Sequence, residues 1–247
     1  MVQENTKEGY ALKVRVKFAK EGAMKFIGHL DIMRYFQKAV KRANLDVAFS
    51  EGFSPHMIMS FASPLGVGIT STGEYFDMEL KSATTSSDMV KRLNDAMAEG
   101  MKILSIRQVE DGKASKAMSL VAAADYRLKF RETAKLPENW KEKLEEFKAQ
   151  KEIVILKKTK KSEKELDIRP FIYKLSLEEM DVIFMLLAAG ISNNTLPVLV
   201  LEAFAAFMEI PYENLKFMIH RCELYADTGS DEARNLVSLE DLGEEIE

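Results

Sequence analysis

The sequence predicts an α+β protein built from two tandem ferredoxin-like (split βαβ) halves with antiparallel sheets. Segments with an apolar period of two alternate with segments whose apolar residues recur every three or four positions. The first half has the order strand, helix, two or three strands, helix, strand, and a similar order follows it. No residue-by-residue repeat accompanies this recurrence. The predicted domains are residues 1–112, residues 113–226 and an acidic tail at residues 227–247.

Alternation of apolar and basic residues over Ala11–Ala19 predicts a half-buried strand with Lys13, Arg15 and Lys17 on its outer face. Apolar spacing of three and four predicts a helix over His29–Asn44. The remaining elements expected in this half are strands at Val47–Phe49, Met57–Phe61, Tyr75–Lys81 and Lys102–Val109, and a helix at Asp88–Glu99 capped by Thr85 or Ser87.

In the second half a proline and an apolar stripe predict a helix over Pro137–Gln150. A second, more apolar helix is expected at Leu196–Met208. The residues after Asp227 are rich in acidic side chains, and Leu236–Leu242 within them is predicted as a short docking helix or part of a mobile tail. The strands expected in this half are Asp125–Arg131, Glu152–Lys157, Leu166–Leu175, Met180–Ala189 and Leu215–Leu224.

Composition excludes several classes of protein. The chain of 247 residues has a single cysteine, Cys222, which rules out an internal disulfide framework and a thiolate-built zinc or iron–sulfur site. No apolar run reaches membrane-spanning length, and the start of the chain lacks the apolar core of a secretory signal. A cytoplasmic protein without a cofactor or a membrane partner is therefore expected. The net charge of -4 gives no general attraction to nucleic acid, so no DNA partner is expected and RNA binding needs a local patch.

One candidate patch is the basic face of the first helix, which carries Arg34, Lys38, Lys41 and Arg42. Clustered cations near aromatic rings suit phosphate contacts and base stacking. A second candidate is the lysine run at a strand-to-strand tip, which includes Lys158, Lys160 and Lys161. The alternative interpretation of both is an ordinary solvated surface.

Two histidines lie in the stretch from Phe26 to Leu65. His29 and His56, with Asp31, are the candidate catalytic residues, because histidine titrates near neutral pH and a carboxylate can orient it. Tyr75 and Asp77 could assist if the fold brings them near. No metal site is predicted, because the spacing matches no metal-ligand motif. The alternative is that His29 belongs to the start of the helix and His56 to a turn.

The segment from F-I-G-H-L-D to G-F-S-P-H resembles the DUF2344 family of radical SAM-associated proteins. Gly28 stands at a position where the family pattern has serine, and Ser54 where it has asparagine. The later segment E-L-D-I-R-P resembles a second family motif. The residues that match these motifs are His29, Asp31, Arg34, Gly52, Phe53, Pro55, His56, Asp167, Arg169 and Pro170.

The resemblance implies work on RNA or translation together with a radical SAM enzyme. The leading hypothesis is a non-catalytic accessory protein that binds RNA, either tRNA or rRNA. The alternatives are a metal-independent endoribonuclease that uses His29 and His56, and a protein–protein adaptor without RNA binding. A more distant likeness in the order of elements, to tandem ferredoxin-like RNA-processing proteins, is an analogy of fold.

Overall fold

The computed structural model describes residues 11–112, 115–158, 163–191, 193–230 and 233–247. In chain order its strands and helices are β1 (Leu12–Lys20), α1 (His29–Arg42), β2 (Met59–Phe61), β3 (Thr70–Leu80), α2 (Ser86–Asp95), β4 (Met101–Gln108), α3 (Ala117–Leu120), β5 (Val121–Phe130), α4 (Trp140–Lys148), β6 (Val154–Lys158), β7 (Glu163–Asp167), β8 (Ile172–Glu178), β9 (Val182–Ala188), α5 (Pro197–Phe207), β10 (Phe217–Asp227) and β11 (Leu236–Ser238).

The mixed α+β class and the mainly antiparallel strand pairing are confirmed. The chain divides into a first unit, Met1–Ala122 with Glu223–Glu247, and a second unit, Ala123–Cys222. The chain crosses between them within β5 and within β10. That residues 1–112 and 113–226 are separate, independently folding domains stays a prediction.

In the first unit β1 lies between β4 and β3, and β2 pairs with β3. The apolar sides of α1 and α2 pack on one face of these strands, where Phe36 and Leu93 are fully buried. Ring contacts join Phe18 to Phe36 at 4.7 Å between centroids. The alternation read from the sequence is confirmed for this face: Val14, Val16, Phe18, Phe76 and Met78 all belong to the core.

Local sequence signals explain where the helices start and stop. Asp31 lies in the first turn of α1, and Lys41 and Arg42 lie in its last turn, which suits the helix dipole at both ends. Asn44 follows with a φ of 53°, a left-handed conformation that asparagine adopts more readily than most residues. Thr85 caps α2, because its hydroxyl accepts the backbone N–H of Asp88 at 3.2 Å.

The opposite face of β1 differs from the prediction. Lys13, Arg15 and Lys17 were expected on a basic outer face, but Lys13 and Arg15 are buried and Lys17 is largely covered. Lys17 Nζ contacts carboxylate oxygens of Glu223 and Glu240, each at 2.7 Å. The alternating pattern identifies this face as polar, but it contains no information about the distant segment that covers it.

A buried ion pair organises this covered face. The Arg15 guanidinium donates to both carboxylate oxygens of Asp77, at 2.8 Å and 3.3 Å. Arg15 also donates to the carbonyl oxygens of Leu239 at 3.1 Å and Ser115 at 2.9 Å. Asp77 accepts the backbone N–H of Ala117 at 2.7 Å. The two charges are therefore buried with their hydrogen-bonding groups occupied.

The acidic C-terminal segment belongs to the first unit. β11 pairs with the end of β10, and Gln108 and Glu244 exchange backbone hydrogen bonds of 2.7 Å and 2.9 Å. The backbone N–H of Ser86 donates to the Ile246 carbonyl at 2.9 Å. Residues 236–242 form β11 and a 3-10 turn instead of one helix.

The second unit contains a sheet of order β10-β5-β9-β8 and a separate hairpin of β6 and β7. Helices α4 and α5 meet through Phe147 and Phe204, whose ring centroids are 5.3 Å apart. The single strand predicted over Leu166–Leu175 is wrong. A 3-10 turn at Arg169–Phe171 separates β7 from β8, because Pro170 lacks the N–H needed to continue a ladder.

Between α1 and β3, the sequence predicts more regular strand than the structure contains. The segment around Val47 and Phe49 forms isolated bridges to Leu80 and Met57, and only Met59–Phe61 is a regular strand. Exposed residues from Glu51 to Pro55 form the loop between these bridges. The loop interrupts the local alternation before a longer ladder can form.

We predict that Asp77→Asn lowers the free energy of unfolding by about 3 to 5 kcal/mol, because it leaves the buried Arg15 cation without a counter-charge. Urea denaturation of the two proteins measures the difference. The matched control is Asp95→Asn, which breaks an exposed pair with Lys91 and should cost less than about 1 kcal/mol. Equal losses in the two variants would contradict the organising role of the buried pair.

Candidate functional site

His29 begins α1 and lies against the aromatic core of the first unit. The backbone of Gly28 is extended, and its carbonyl accepts the N–H of Ile32 at 3.0 Å. The imidazole contacts the Phe61 ring edge to face at a centroid distance of 5.3 Å. The imidazole thus packs against an apolar ring at the first residue of the helix, which fits the alternative that His29 belongs to the helix start.

Buried charged groups surround His29. Lys20 and Glu74 are only 2% and 3% exposed, and Lys20 Nζ donates to the Ile27 carbonyl at 2.7 Å. Burial lowers the pKa of His29; the Glu74 carboxylate opposes this shift and the Lys20 ammonium adds to it. Sequence analysis missed Lys20 and Glu74, because both lie just outside the strands predicted at Ala11–Ala19 and Tyr75–Lys81, whereas β1 and β3 include them.

A small cavity beside His29 limits what this cluster can do. The cavity has a volume of about 10 Å³, enough for a single water molecule. Its wall includes Lys20, Glu74 and Ser63 as well as apolar residues. Protons could be exchanged among these groups, but the cavity is too small to receive a nucleotide.

His56 lies in a different environment. The residue is exposed, and its Nδ1 is 2.8 Å from the Ser50 hydroxyl. Backbone bonds close the same loop: the Ser50 N–H donates to the His56 carbonyl at 2.9 Å. Within the described residues no contact joins His29 to His56. The contacts of His56 with Ser50 fit the alternative in which it belongs to a turn, and its catalytic role stays a prediction.

The loop closed by Ser50 and His56 presents an aromatic ring. Gly52 has a φ of 105°, a conformation that favours glycine because a side chain would be strained there. The next residue, Phe53, is fully exposed, and Pro55 is also exposed. The family motif over these residues thus defines a tight loop with a projecting phenyl ring.

Asp31 and Arg34 face solvent on the first turns of α1. Arg34 Nη1 and Asp31 Oδ1 are 3.3 Å apart, and their side chains are 72% and 67% exposed. Such an exposed pair contributes little to stability. Asp31 is therefore close to His29 in the sequence, but its side chain faces solvent.

The basic face predicted for α1 is exposed. Lys38 and Lys41 have no ion-pair partner among the residues that the structure describes, and Arg42 donates to the Ala96 carbonyl at 2.9 Å. Arg34 extends the row toward the start of the helix. Phe26, just before α1, adds a 66% exposed aromatic ring.

Tyr75 and Asp77, which were expected to assist the histidines, contact other residues instead. Both project from the covered face of β3: Tyr75 donates to Glu223 Oε1 at 2.6 Å, and Asp77 pairs with Arg15. Burial raises the pKa of Tyr75 well above its ordinary value, and the nearby Glu223 carboxylate raises it further. These groups hold the C-terminal segment in place.

Glu240 takes part in the same cluster. Burial favours its neutral form, but hydrogen bonds from Lys17 and Ser105 outweigh burial and keep the pKa of Glu240 below its ordinary value. The acidic segment is therefore partly neutralised within its own unit.

In the second unit the other family motif shapes a turn. Asp167 Oδ1 accepts the backbone N–H groups of Ile153 at 2.8 Å and Arg169 at 2.9 Å. Arg169 in turn donates to the carbonyls of Gln150 and Ile172, each at 3.1 Å. Pro170 lies within the 3-10 turn that follows.

The lysine run of the second unit is only partly described. Lys158 ends β6 and pairs in register with Glu163 of β7. Lys160 and Lys161 lie outside the described residues. Their proposed part in RNA binding stays a prediction.

Metal-binding and thiol chemistry find no support in the described part of the chain, which contains no group of three or more His, Cys, Asp or Glu side chains arranged to hold a metal ion. Burial and the neighbouring Asp125 raise the pKa of Cys222 to about 11. Its thiol is therefore protonated at neutral pH and a poor nucleophile.

Comparison with known proteins identifies the family. The chain belongs to the DUF2344 family, described as "Uncharacterized protein conserved in bacteria", whose model matches residues 13–197. A search of curated proteins finds no match. Within the described residues no helix has both the length and the apolar character needed to cross a membrane.

Two solved structures show weak likeness. A chain of a Cbf5-Nop10-Gar1 complex has 11% identity and a TM-score of 0.44, with 90% of this chain and 55% of that chain covered. A protein described as unknown from Galdieria sulphuraria has 13% identity and a TM-score of 0.24, with 86% and 99% covered. Both scores are too low to inform function.

We predict that His29 titrates with a midpoint below 6.5, the ordinary value for histidine. The unfolded chain then binds this proton at a higher pH than the folded chain does. Stability from this group is complete above pH 6.5 and falls as the pH drops toward the folded-state pKa.

NMR titration of the imidazole protons checks the midpoint, with His29→Asn used to assign the signal. Urea denaturation at several pH values checks the linkage, because His29→Asn should reduce the pH dependence in this window. A midpoint at or above 6.5 would contradict burial as the controlling effect.

Proposed function

We propose that this protein is a non-catalytic RNA-binding accessory protein that acts with a radical SAM enzyme in RNA modification or translation-related processing. The observation that carries the RNA part is the solvent-exposed row of Arg34, Lys38, Lys41 and Arg42 on α1. The net charge of the chain is -4, so a local basic surface can attract phosphates while the rest of the molecule does not attract nucleic acid.

Exposed aromatic rings support single-stranded RNA as the ligand. Phe53 projects from a tight loop, and Phe26 lies just before the basic helix. Unpaired bases stack on such rings, whereas bases within a duplex are not free to do so. Loops or ends of tRNA or rRNA are therefore the proposed targets.

The environment of the histidines supports binding without cleavage. His29 packs against Phe61 and borders a cavity of about 10 Å³, while His56 contacts Ser50 in another loop. A general acid and a general base must both reach the same phosphate. The endoribonuclease alternative has no arrangement of this kind to support it.

In the adaptor alternative, the apolar second half and the acidic tail dock a partner protein. In the structure Glu240 contacts Lys17, and Glu244 pairs with Gln108. These contacts favour a structural role for the acidic segment, although they leave other protein-binding surfaces available.

The radical SAM partnership rests on what membership in the DUF2344 family implies. A single cysteine cannot supply the thiolates that bind an iron–sulfur cluster. In this proposal the partner enzyme carries out the reaction, and the present chain holds the RNA.

We also propose that both units are ferredoxin-like. In the first unit, the element order β1-α1-β2-β3-α2-β4 and the central position of β1 and β3 support this. In the second, β5 and β9 are central, and the hairpin of β6 and β7 is inserted after α4.

We predict that the double substitution Lys38→Ala with Lys41→Ala weakens binding to an unstructured RNA oligonucleotide. The slope of log affinity against log salt concentration should decrease by about 1.4, because each phosphate contact to single-stranded RNA contributes about 0.7. Fluorescence anisotropy over a series of salt concentrations measures both quantities. Filter binding with bulk tRNA gives a second test.

The matched control is Lys102→Ala with Lys116→Ala, which removes two exposed cations from other elements of the same unit. Phe53→Ala should reduce affinity with no change in the salt slope, because it removes stacking and no charge. Absence of binding at micromolar protein, or affinity that does not depend on salt, would reject RNA binding. RNA cleavage in EDTA that disappears in His29→Ala and His56→Ala would instead establish the nuclease.

We predict that the protein co-elutes with a radical SAM enzyme from the same organism, and that RNase treatment does not separate them. Size-exclusion chromatography of the co-expressed pair checks this. Co-elution lost after RNase would show that RNA alone connects the two. Failure to co-elute under either condition would reject the partnership and leave the RNA-binding proposal intact.

A further inference from the structure

The second unit contains a pocket of about 380 Å³ that includes the motif residue Arg169 in its wall. This volume falls within the range of small-molecule sites. Basic residues of two other elements, Lys148 of α4 and Lys174 of β8, are also among the residues that line it. The wall of the pocket therefore includes cationic residues from three separate elements.

Arg169 is held in a fixed orientation at this pocket. Its Nε donates to the Gln150 carbonyl and its Nη1 to the Ile172 carbonyl, each at 3.1 Å. Among the described residues, its Nη2 has no hydrogen-bond partner in the structure. A guanidinium fixed on one side can present its remaining N–H groups to an anion with little loss of conformational entropy.

The nearest acidic motif residue does not neutralise Arg169. Asp167 directs Oδ1 to the backbone N–H groups of Ile153 and Arg169, and no ion pair joins its carboxylate to the Arg169 side chain within the described residues. Among the described residues that line the pocket, none is acidic. The local charge is consequently positive.

The two lysines add to this charge in different ways. Lys174 has no carboxylate partner among the described residues; its Nζ lies 5.2 Å from the centroid of the Phe184 ring, outside the pocket wall, and its exposed side chain can turn toward a bound anion. Lys148 forms an ion pair with Glu145. The uncompensated charge is therefore that of Arg169 and Lys174, which suits a dianion better than a single carboxylate.

The rest of the wall is apolar and aromatic. Ile153 and Leu175 are buried residues at the pocket, and Tyr173 contributes a phenol ring. A bare inorganic ion would leave this apolar surface without a partner. A phosphate monoester with a planar organic group fits both parts, since the ester carries a charge of about -1.5 to -2 at neutral pH.

We propose that this pocket binds a nucleoside monophosphate, with its phosphate at Arg169 and Lys174 and its base or sugar against Tyr173 and the apolar wall. The nucleotide can be free or can be the 5′-phosphorylated end of an RNA. The proposal does not depend on RNA binding by α1, because every residue that carries it lies in the second unit.

The test uses the full-length protein and isothermal titration calorimetry with AMP, CMP, GMP and UMP, the corresponding nucleosides and inorganic phosphate. At least one nucleotide should bind about tenfold more tightly than both its nucleoside and inorganic phosphate. Equal affinity for nucleotide and nucleoside would overturn the phosphate site. Equal affinity for nucleotide and inorganic phosphate would overturn the organic part.

Arg169→Lys keeps the positive charge but removes the planar guanidinium with its paired N–H donors. It should weaken nucleotide binding about tenfold. Because Arg169 also bonds two carbonyls, Lys174→Ala provides a variant at an exposed position that does not disturb the turn. It should weaken binding by about threefold to tenfold. Lys129→Ala, an exposed lysine of β5 outside the pocket, is the matched control and should bind as the unaltered protein does.

Two further ligands distinguish the sources of the nucleotide. A tetranucleotide with a 5′-phosphate that binds more tightly than its 5′-hydroxyl form would support an RNA end, and binding of free mononucleotides alone would support a small-molecule ligand. Equal loss in Lys174→Ala and Lys129→Ala, or no binding of any nucleotide at millimolar concentration, would overturn the proposal. The Lys38 and Lys41 variants should keep normal mononucleotide affinity, so failure of the two proposals can be told apart.

Discussion

The buried ion pair between Arg15 and Asp77 is the constraint on which the first unit depends. Removing two charges from water is costly unless their hydrogen-bonding groups are occupied. The carbonyls of Leu239 and Ser115 and the N–H of Ala117 meet this requirement. The C-terminal segment and the segment before α3 are therefore required parts of the unit, and one face of its strands is closed to solvent.

This constraint separates cations that look equivalent in the sequence. Arg15 and Lys17 of β1 pair with the covered carboxylates of Asp77 and Glu223, whereas Lys38 and Lys41 of α1 face water. Only the second group can contact a ligand without disrupting the fold. The same separation applies to the histidines, since His29 packs on the core and His56 closes an exposed loop.

In the second unit one short motif serves two purposes. Asp167 fixes the backbone of the turn, and Arg169 joins the turn to two carbonyls while its remaining N–H groups face a pocket. Under the two proposals, the second unit binds a discrete anion and the exposed cations of α1 contact an extended one.

Sequence by itself determined the α+β class, the core faces of β1 and β3 and the position of α1, because these depend on spacing between near neighbours. It narrowed the cap of α2 to Thr85 or Ser87, and the structure selects Thr85. It also identified the exposed basic row. Tertiary structure alone decided that Arg15 is buried and that Lys148, Lys174 and Arg169 line one pocket. The break within Leu166–Leu175 has a local cause, Pro170, that the periodicity analysis overlooked. Periodicity shows which face of an element is polar, but long-range pairing decides whether water, a counter-charge or a ligand meets that face.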